Sequence, residues 1–555
     1  MTKPSPETKA EFHGLSKSQK RAVLGGKNIF LSACPGAGKT TSVAARVAAK
    51  VRKGKRLALL SYTNVGAREI ASATVHGYGI ALDDQQFVGT LHSFLFRYLV
   101  RPFGHLVTGA DRPLTVDNEI VQKLFPEKLK SDDFKYNADR TLRYVGKGTR
   151  RPSDETKARD ARVRAAELGF INHDDTIEIA LWILQDHKEI AAALASRFDE
   201  IIVDEAQDTN ASTLACLREL HDAGLKSLVL VGDYDQSIYE FTGASPDKCD
   251  ALAKHCKLKR RQLKENFRSS QAICNVTAKV RGAVKPDIAA GPYKDLGIAP
   301  ILIRYRTEDV SLLPELLQKF VDDFGLDASS KSVLVHSRIT GEKIRGASRP
   351  QIPRNFAPLI SAATAANLTQ EHYRELESLL LRRAFDKPPT QLELDKSKLR
   401  NSAARLLSGF APFEGTLLEW ATKAVSAVDE AASALLVPGT SLTGEQLLAP
   451  PSWSEFEASS VEAEDQDGVL VDTIHGAKGM SIDAVMLVAE VGNSYREQAR
   501  SWASALADPI AKIDSDLRLG YVGLTRARQL LVLAVPESTR PDVMALYASA
   551  GFAAR

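Results

Sequence analysis

The chain has 555 residues, 44% of them apolar and 26% charged, which excludes a disordered or fibrous protein and leaves room for three or four domains of about 150 residues. Lys and Arg number 73 against 69 Asp and Glu, and a net charge of +4 excludes a protamine-like polycation while leaving a local basic track open. Five cysteines without a C-x-x-C pair exclude a disulfide framework, Met1 to Gly14 lacks an apolar signal core, and no apolar run nears the ~20 residues that span a bilayer, so a soluble, reduced, cytoplasmic protein without a membrane partner is expected.

The first strand is expected at Asn28-Ile29-Phe30-Leu31-Ser32, and an Ala-rich helix should run through Lys50. Between them stands Ala33-Cys34-Pro35-Gly36-Ala37-Gly38-Lys39-Thr40. This matches the phosphate loop G-x-x-x-x-G-K-[ST], with Ala33 in place of the first glycine. Gly36 and Gly38 let backbone N–H groups turn toward phosphate oxygens, and the helix start adds its positive dipole end. Lys39 should reach the β- and γ-phosphates, and the Thr40 hydroxyl should bind Mg²⁺. Gly36, Ala37, Gly38, Lys39, Thr40 and Thr41 are the expected phosphate contacts.

Arg56 to Ser61 reads as a second strand. From about 105 to 165 the chain turns charged and reads as an inserted helical or loop subdomain. Residues 140–164 carry Arg140, Arg143, Lys147, Arg150, Arg151, Lys157, Arg159, Arg162 and Arg164, a basic track suited either to duplex phosphates or to a solvated face. Phe198 to Val203 is an apolar strand that delivers Asp204 and Glu205 to its carboxyl end, where ligands bind in parallel sheets. Asp204 suits Mg²⁺ held through water, and Glu205 suits a proton acceptor for an attacking water. Ser227 to Val231 is a further buried strand, and Lys254 to Lys264 is a second basic stretch.

A second α/β pattern follows residue 266, with strands at Ala299 to Tyr305 and Ser332 to Val335. Gly346 to Pro358 marks a boundary. Residues 359–436 read as helical; in the last helix Leu417, Trp420, Ala421, Ala424, Val428, Ala431 and Leu435 form one apolar stripe. Pro438, Pro450 and Pro451 mark a linker, Ser452 and Glu455 fit a capping box, and Glu462, Glu464, Asp465 and Asp467 form an acidic patch. Strands resume at Val469 to Ile474, Val485 to Val488 and Leu530 to Val535. No repeat of solenoid length occurs. The expected fold is α/β: two cores of parallel sheet flanked by helices, each interrupted by a mainly helical insert.

Further blocks fall in a recognisable order. They are Leu15-Ser16-Lys17-Ser18-Gln19, Ser61-Tyr62-Thr63-Asn64, Gly89-Thr90-Leu91-His92-Ser93-Phe94 and Val231-Gly232-Asp233-Tyr234-Asp235-Gln236-Ser237-Ile238-Tyr239 in the first half. In the second half stand Glu265-Asn266-Phe267-Arg268-Ser269, Thr473-Ile474-His475-Gly476-Ala477-Lys478-Gly479 and Tyr521-Val522-Gly523-Leu524-Thr525-Arg526-Ala527. With the phosphate loop and the Asp204-Glu205 strand, the chain resembles a superfamily 1A helicase of the UvrD/Rep/PcrA type.

The resemblance implies two RecA-like cores with ATP in the cleft between them. It implies Gln19 as the adenine reader, Phe267 (where the family usually has Tyr) stacked on the base, and Gln236 as a γ-phosphate sensor. Arg268 and Arg526 become arginine fingers from the second core. Single-strand contacts are expected on the opposite edge of the cores. There Tyr239 and Phe241 would serve as stacking rings, and Thr63, Asn64, His92 and His475 would touch backbone or bases. The implied parts are core 1A over 1–104 and 166–265 with insert 1B over 105–165. Core 2A then covers 266–345 and 467–555, with insert 2B over 346–466.

Three features depart from the family pattern. Phe241-Thr242 replaces Trp-Arg, Met480-Ser481 replaces Leu-Glu, and the second insert is short. The compact form is similar to UvrD-like subunits of Gabija-type anti-phage systems, and with so short a tail after Arg528 no RecB-like nuclease domain is expected. The implied function is an ATP- and Mg²⁺-dependent 3′→5′ translocase and helicase acting on single-stranded DNA and on single-strand/duplex junctions. The alternative is a helicase-like NTPase that regulates a partner nuclease in anti-phage defence. A metabolic P-loop kinase leaves the block from Val231 to Tyr239 and those after it unexplained.

Overall fold

In a computed structural model of the chain, the residues described are 14–126, 129–137, 139–146, 155–236, 246–345, 356–364, 370–386, 396–408, 416–437, 439–447, 468–491, 498–507 and 515–555. Two six-stranded parallel sheets organise them. The first contains β1 (Ile29–Ala33), β2 (Leu57–Ser61), β3 (Phe87–Thr90), β4 (Glu200–Val203), β5 (Leu228–Gly232) and β6 (Lys259–Leu263), in the order β6-β1-β5-β4-β2-β3. The second contains β7 (Ile301–Tyr305), β8 (Lys331–Val335), β9 (Val469–Thr473), β10 (Ile482–Val488), β11 (Ala527–Pro536) and β12 (Ala553–Ala554), in the order β9-β8-β10-β11-β7-β12.

Every residue of β2, β4, β5 and β10 is buried, because helices cover both faces of the sheets. The apolar strands expected from the sequence are all present, with ends shifted by a few residues. Three strands of these two sheets were not legible. β3 is four residues long and contains a glycine, β12 has two residues, and β6 reads Lys-Arg-Arg-Gln-Leu. β6 lies at the sheet edge with four of its five residues exposed, and its lysine and arginines guard that edge against further pairing. Part of the basic 254–264 stretch is thereby explained. Arg260 also pairs with Asp250 and lies over the Phe30 ring.

The helices that position the site are α1 (Lys17–Leu24), α2 (Lys39–Val51), α3 (Asn64–Tyr78) and α4 (Gln271–Val280). The second insert supplies α5 (Ala357–Thr364), α6 (Gln370–Ala384), α7 (Lys396–Ser408) and α8 (Leu417–Ser433) around Phe356, Leu376, Leu380, Leu399, Trp420 and Val428. The α8 stripe is buried as its spacing predicts, except that Leu435 falls past the helix end and is only half-buried. Thr416 and Glu419 close a capping box at its start. The capping box at Ser452 and the acidic patch lie outside the described residues. α9 (Ser515–Leu524) leads into β11.

Short sheets accompany the helices of the first insert. Phe134–Tyr136 and Leu142–Tyr144 form an antiparallel pair, and Thr115–Val116 pairs with Phe170–Ile171. Two members of the basic track are paired here, Arg162 in the interior and Arg140 on the surface. Arg162 is 2% exposed, donates to Phe134 O at 2.9 Å and pairs with Asp175 at 3.2 Å. Arg140 makes a two-pronged contact with Asp186 at 2.7 and 2.8 Å. Arg162 is not free for DNA phosphates, because its charge is matched inside the protein; the Arg140 pair is on the surface. Lys147, Arg150 and Arg151 lie outside the described residues. All five cysteines are free and buried. Among the described residues, no helix is long and apolar enough to cross a membrane.

Candidate active site

A cleft of about 880 Å³ opens where the carboxyl end of the first sheet meets the amino ends of β10 and β11 in the second. The phosphate loop forms one wall. β1 ends at Ala33, which is paired with Leu263 and 1% exposed, so the position of the missing glycine is ordinary strand and tolerates a methyl group. The turn comes later. Gly36 and Gly38 have φ of +71° and +70°, a left-handed conformation that glycine adopts without steric cost, and Gly38 is the residue from which α2 starts. The N-terminal N–H groups of α2 therefore face the cleft, where anions bind.

β4 places Asp204 and Glu205 opposite Lys39. Lys39 Nζ lies 3.3 and 3.4 Å from the two Glu205 oxygens. Glu205 has φ of +50°, unusual for a non-glycine residue and typical of strain stored at functional sites. Burial works against its charge, but Lys39 and Lys478 outweigh burial and hold its carboxyl below the usual range. Asp204 moves the other way, raised by burial and then by the adjacent Glu205 charge. Asp204 Oδ1 and Asp208 Oδ1 are buried and have no hydrogen-bond partner within the protein. Oxygen donors of this kind beside a phosphate loop fit a hydrated Mg²⁺, with Thr40 lining the same cleft.

The second sheet contributes cations. Arg268 Nη1 donates to Thr525 O at 2.9 Å, while its buried Nε has no partner. Burial, then the neighbouring Arg526 and Arg528, push Arg268 down to about 9. Arg526 is 1% exposed, and burial pushes it down to about 10. Its Nη2 donates across the cleft to Gln236 Oε1 at 2.8 Å, and Gln236 Nε2 donates to Asp233 Oδ2 at 2.6 Å. Lys478 also crosses, to Asp208 at 2.6 Å and to Gln236 O at 3.2 Å. Lys39, Lys478, Arg268, Arg526 and Arg528 thus line one cleft. Such a concentration of positive charge is matched by a polyphosphate.

The expected base contacts are nearby. Phe267 lines the cleft, and its N–H donates to Gly36 O at 2.8 Å. Gln19 is 4% exposed, the N3 residue of a capping box with Ser16. Its Nε2 donates to Ala37 O at 3.1 Å and its Oε1 accepts from Ser16 N at 2.9 Å. Residues given no role from the sequence also belong here. Gln207 Nε2 donates to Glu205 Oε2 at 2.6 Å and its Oε1 accepts from Asp233 N at 3.1 Å, joining the loops after β4 and β5. Lys478 falls inside a block legible in the sequence and Gln207 and Asp208 directly follow the Asp204-Glu205 pair, whereas Tyr293 carries no sequence signal.

The residues expected to contact DNA are more scattered. Thr63 departs from the opposite edge. β2 lies beside β4 and both end at the same carboxyl edge, so Thr63 lines the phosphate cleft; its hydroxyl caps α3 by accepting from Gly66 N at 3.1 Å. Asn64 is the first residue of α3. His92 stacks on His173 at 4.3 Å, and burial, then His173, push it down to about 4. His475 follows β9 and is half-buried. Tyr239 and Phe241 lie outside the described residues.

Comparison with known proteins agrees with this geometry. The model of the UvrD/REP helicase N-terminal domain matches residues 15–160 and 148–257, and that of the UvrD-like helicase C-terminal domain matches residues 445–538. The chain is 26% identical over 318 residues to the ATP-dependent DNA helicase UvrD1 of Mycobacterium leprae, covering 50% of this chain and 40% of that protein. It is 26% identical over 262 residues to the Gabija protein GajB of Bacillus cereus, covering 46% and 47%. It is 25% identical over 285 residues to the ATP-dependent DNA helicase Rep of Escherichia coli, covering 47% and 42%. The matched regions span less than half the length of these curated relatives.

Proposed function

The chain belongs to the UvrD-like helicase family, and from that premise we propose that it is an ATP-hydrolysing DNA helicase that moves 3′→5′ on single-stranded DNA. The observation that carries the reading is the meeting of lysines and arginines from both sheets around one phosphate loop. The proposed parts are core 1A (1–104 and 166–265), insert 1B (105–165), core 2A (266–345 and 467–555) and insert 2B (346–466).

In this reading the loop from Gly36 to Thr41 wraps the triphosphate. Thr40 and Asp204 would hold Mg²⁺, which would supply neutralisation of charge on the phosphate oxygens. The triphosphate competes with Glu205 for the Lys39 ammonium. Lys39 then faces phosphate, and the released Glu205 carboxylate accepts the proton of the attacking water. Gln236 senses the γ-phosphate and passes its state to Arg526 through their hydrogen bond. Arg268 and Arg526 stabilise charge on the transferring group only when the cores are closed, which couples turnover to core movement. Gln19 and Phe267 hold the base.

Thr63, Asn64, His92, Tyr239, Phe241 and His475 are the proposed DNA contacts. Removing both rings, Tyr239→Ala with Phe241→Ala, is expected to abolish DNA stimulation of ATP turnover and to weaken single-strand binding by about 1–3 kcal/mol per ring. Parental strand displacement by the double variant would assign the rings to core packing.

Displacement of 3′-tailed and 5′-tailed duplexes tests the whole reading. Displacement confined to 3′ tails supports it, and efficient displacement of 5′-tailed duplexes alone contradicts it. Binding should also weaken steeply with salt, since each neutralised phosphate releases counterion. A second reading is favoured by the likeness to GajB and by the compact second insert. In it the chain is a helicase-like NTPase that controls a partner nuclease in anti-phage defence. ATP turnover without displacement of either tail at low salt would give that reading the lead.

A further inference from the structure

The base of the nucleotide has one ring assigned to it, Phe267, yet the same cleft holds another. Tyr293 is half-buried and lines it together with Phe267, Pro292 and the phosphate loop. Its loop is pinned in several places. Ile288–Ala289 pairs in parallel with Glu265–Asn266, and Ala290 N donates to Asn266 O at 2.7 Å. From α4, Gln271 accepts from Ala289 N at 2.9 Å and donates to Asp287 O at 3.1 Å.

Gly291 then runs against Phe267. A Cβ built at Gly291 would lie 2.0 Å from Phe267 O, so no side chain fits there. Tyr293 O accepts from Leu296 N at 3.0 Å, which closes the turn after the ring. The loop bearing Tyr293 is therefore anchored to Phe267, and Phe267 is anchored to Gly36 of the phosphate loop at 2.8 Å.

Gln19 has less to offer than its motif suggests. An amide has two N–H donors and two acceptor lone pairs. One N–H is committed to Ala37 O, and the oxygen already accepts from Ser16 N. These bonds brace the phosphate loop against α1 and leave one N–H and one lone pair for the base.

We infer that Tyr293 is a base-binding residue, and that the nucleobase is held by stacking on Tyr293 as well as on Phe267. The inference rests on the ATP site proposed above. Calorimetric titration of the full chain with ATP and with inorganic tripolyphosphate, both with Mg²⁺, tests it. Tripolyphosphate has the charge and no base.

Tyr293→Ala should weaken ATP binding by about tenfold, the usual scale of one aromatic–base stack, and leave tripolyphosphate binding unchanged. Tyr293→Phe keeps the ring and should bind ATP as the parent does. Parental ATP affinity in Tyr293→Ala overturns the inference. So does an equal loss for ATP and tripolyphosphate, which would make Tyr293 a support for the loop. A parent chain that binds neither ligand defeats the ATP site and this inference together, while a parent that binds both with an indifferent Tyr293→Ala defeats the inference alone.

Discussion

Arg268→Ala is expected to lower ATP turnover by about 10³–10⁵-fold while much of the ATP affinity remains. The guanidinium donates to Thr525 O, and its buried Nε has no hydrogen-bond partner within the protein. It stands beside Arg526 and Arg528, whose charges, after burial, push it down to about 9. Negative charge growing on the transferring phosphoryl group relieves that crowding, so the interaction is strongest in the transition state. Arg526 requires a gentler substitution. It also donates to Val522 O at 2.9 Å and to Met480 O at 3.3 Å, so Ala would damage the turn between α9 and β11. Arg526→Lys keeps the charge, loses the fork, and should lose turnover on the same scale. Steady-state ATPase rates decide the matter, and near-normal turnover in both variants would sink the two-sheet site.

Glu200→Ala is expected to cost about 3–5 kcal/mol of stability, because it strands buried positive charge. Glu200 is 1% exposed and pairs with Arg46 at 2.7 Å and Lys50 at 3.1 Å; it also accepts from Ser227 Oγ at 2.8 Å. Arg46 has further partners, the carbonyls of Ala22, Val23, Gly25 and Gly26, at 2.8 to 3.1 Å. Through them it ties the end of α1, which carries Gln19, to α2, which opens at the phosphate loop. Urea unfolding measures the loss. Replacing Arg46 and Glu200 together by apolar residues should cost less than Glu200→Ala, since no charge is then left unpaired; a larger cost for the pair would contradict the argument.

The same pair has a pH dependence. Burial alone would raise the Glu200 carboxyl, but Arg46 and then Lys50 outweigh burial and hold it below the usual range. A depressed carboxyl adds stability that is complete above its unfolded value of about 4.3 and fades as pH falls through the folded value. The difference between parent and Glu200→Ala should therefore shrink only in acid.

The short blocks around the cleft were legible because each is local chemistry. A phosphate loop needs glycines with positive φ at Gly36 and Gly38 and a lysine at the helix start, and a buried strand needs its apolar run before Asp204 and Glu205. Such requirements are met within eight or so consecutive residues, and they leave a pattern. The apolar face of α8 was legible for the same reason, through its helical spacing.

What a side chain does after the chain closes left no pattern. Arg162 looked like one more cation in a basic track and became a buried partner of Asp175. Gln19 carried only a base-reader pattern, and the structure adds bonds from its amide to Ser16 and Ala37. Tyr293 sits in an unremarkable loop and reaches the cleft only because Gly291 passes against Phe267. The sequence by itself determined the two α/β cores, the phosphate loop and the acidic strand end, since propensity, apolar periodicity and motif spacing are local. Only the tertiary structure decided which cations face the phosphate cleft and which are spent on internal pairs. Arg526 meets Gln236 across 290 residues of chain, and at that separation partners are chosen by the packing of two sheets and the cost of burying an unpaired charge.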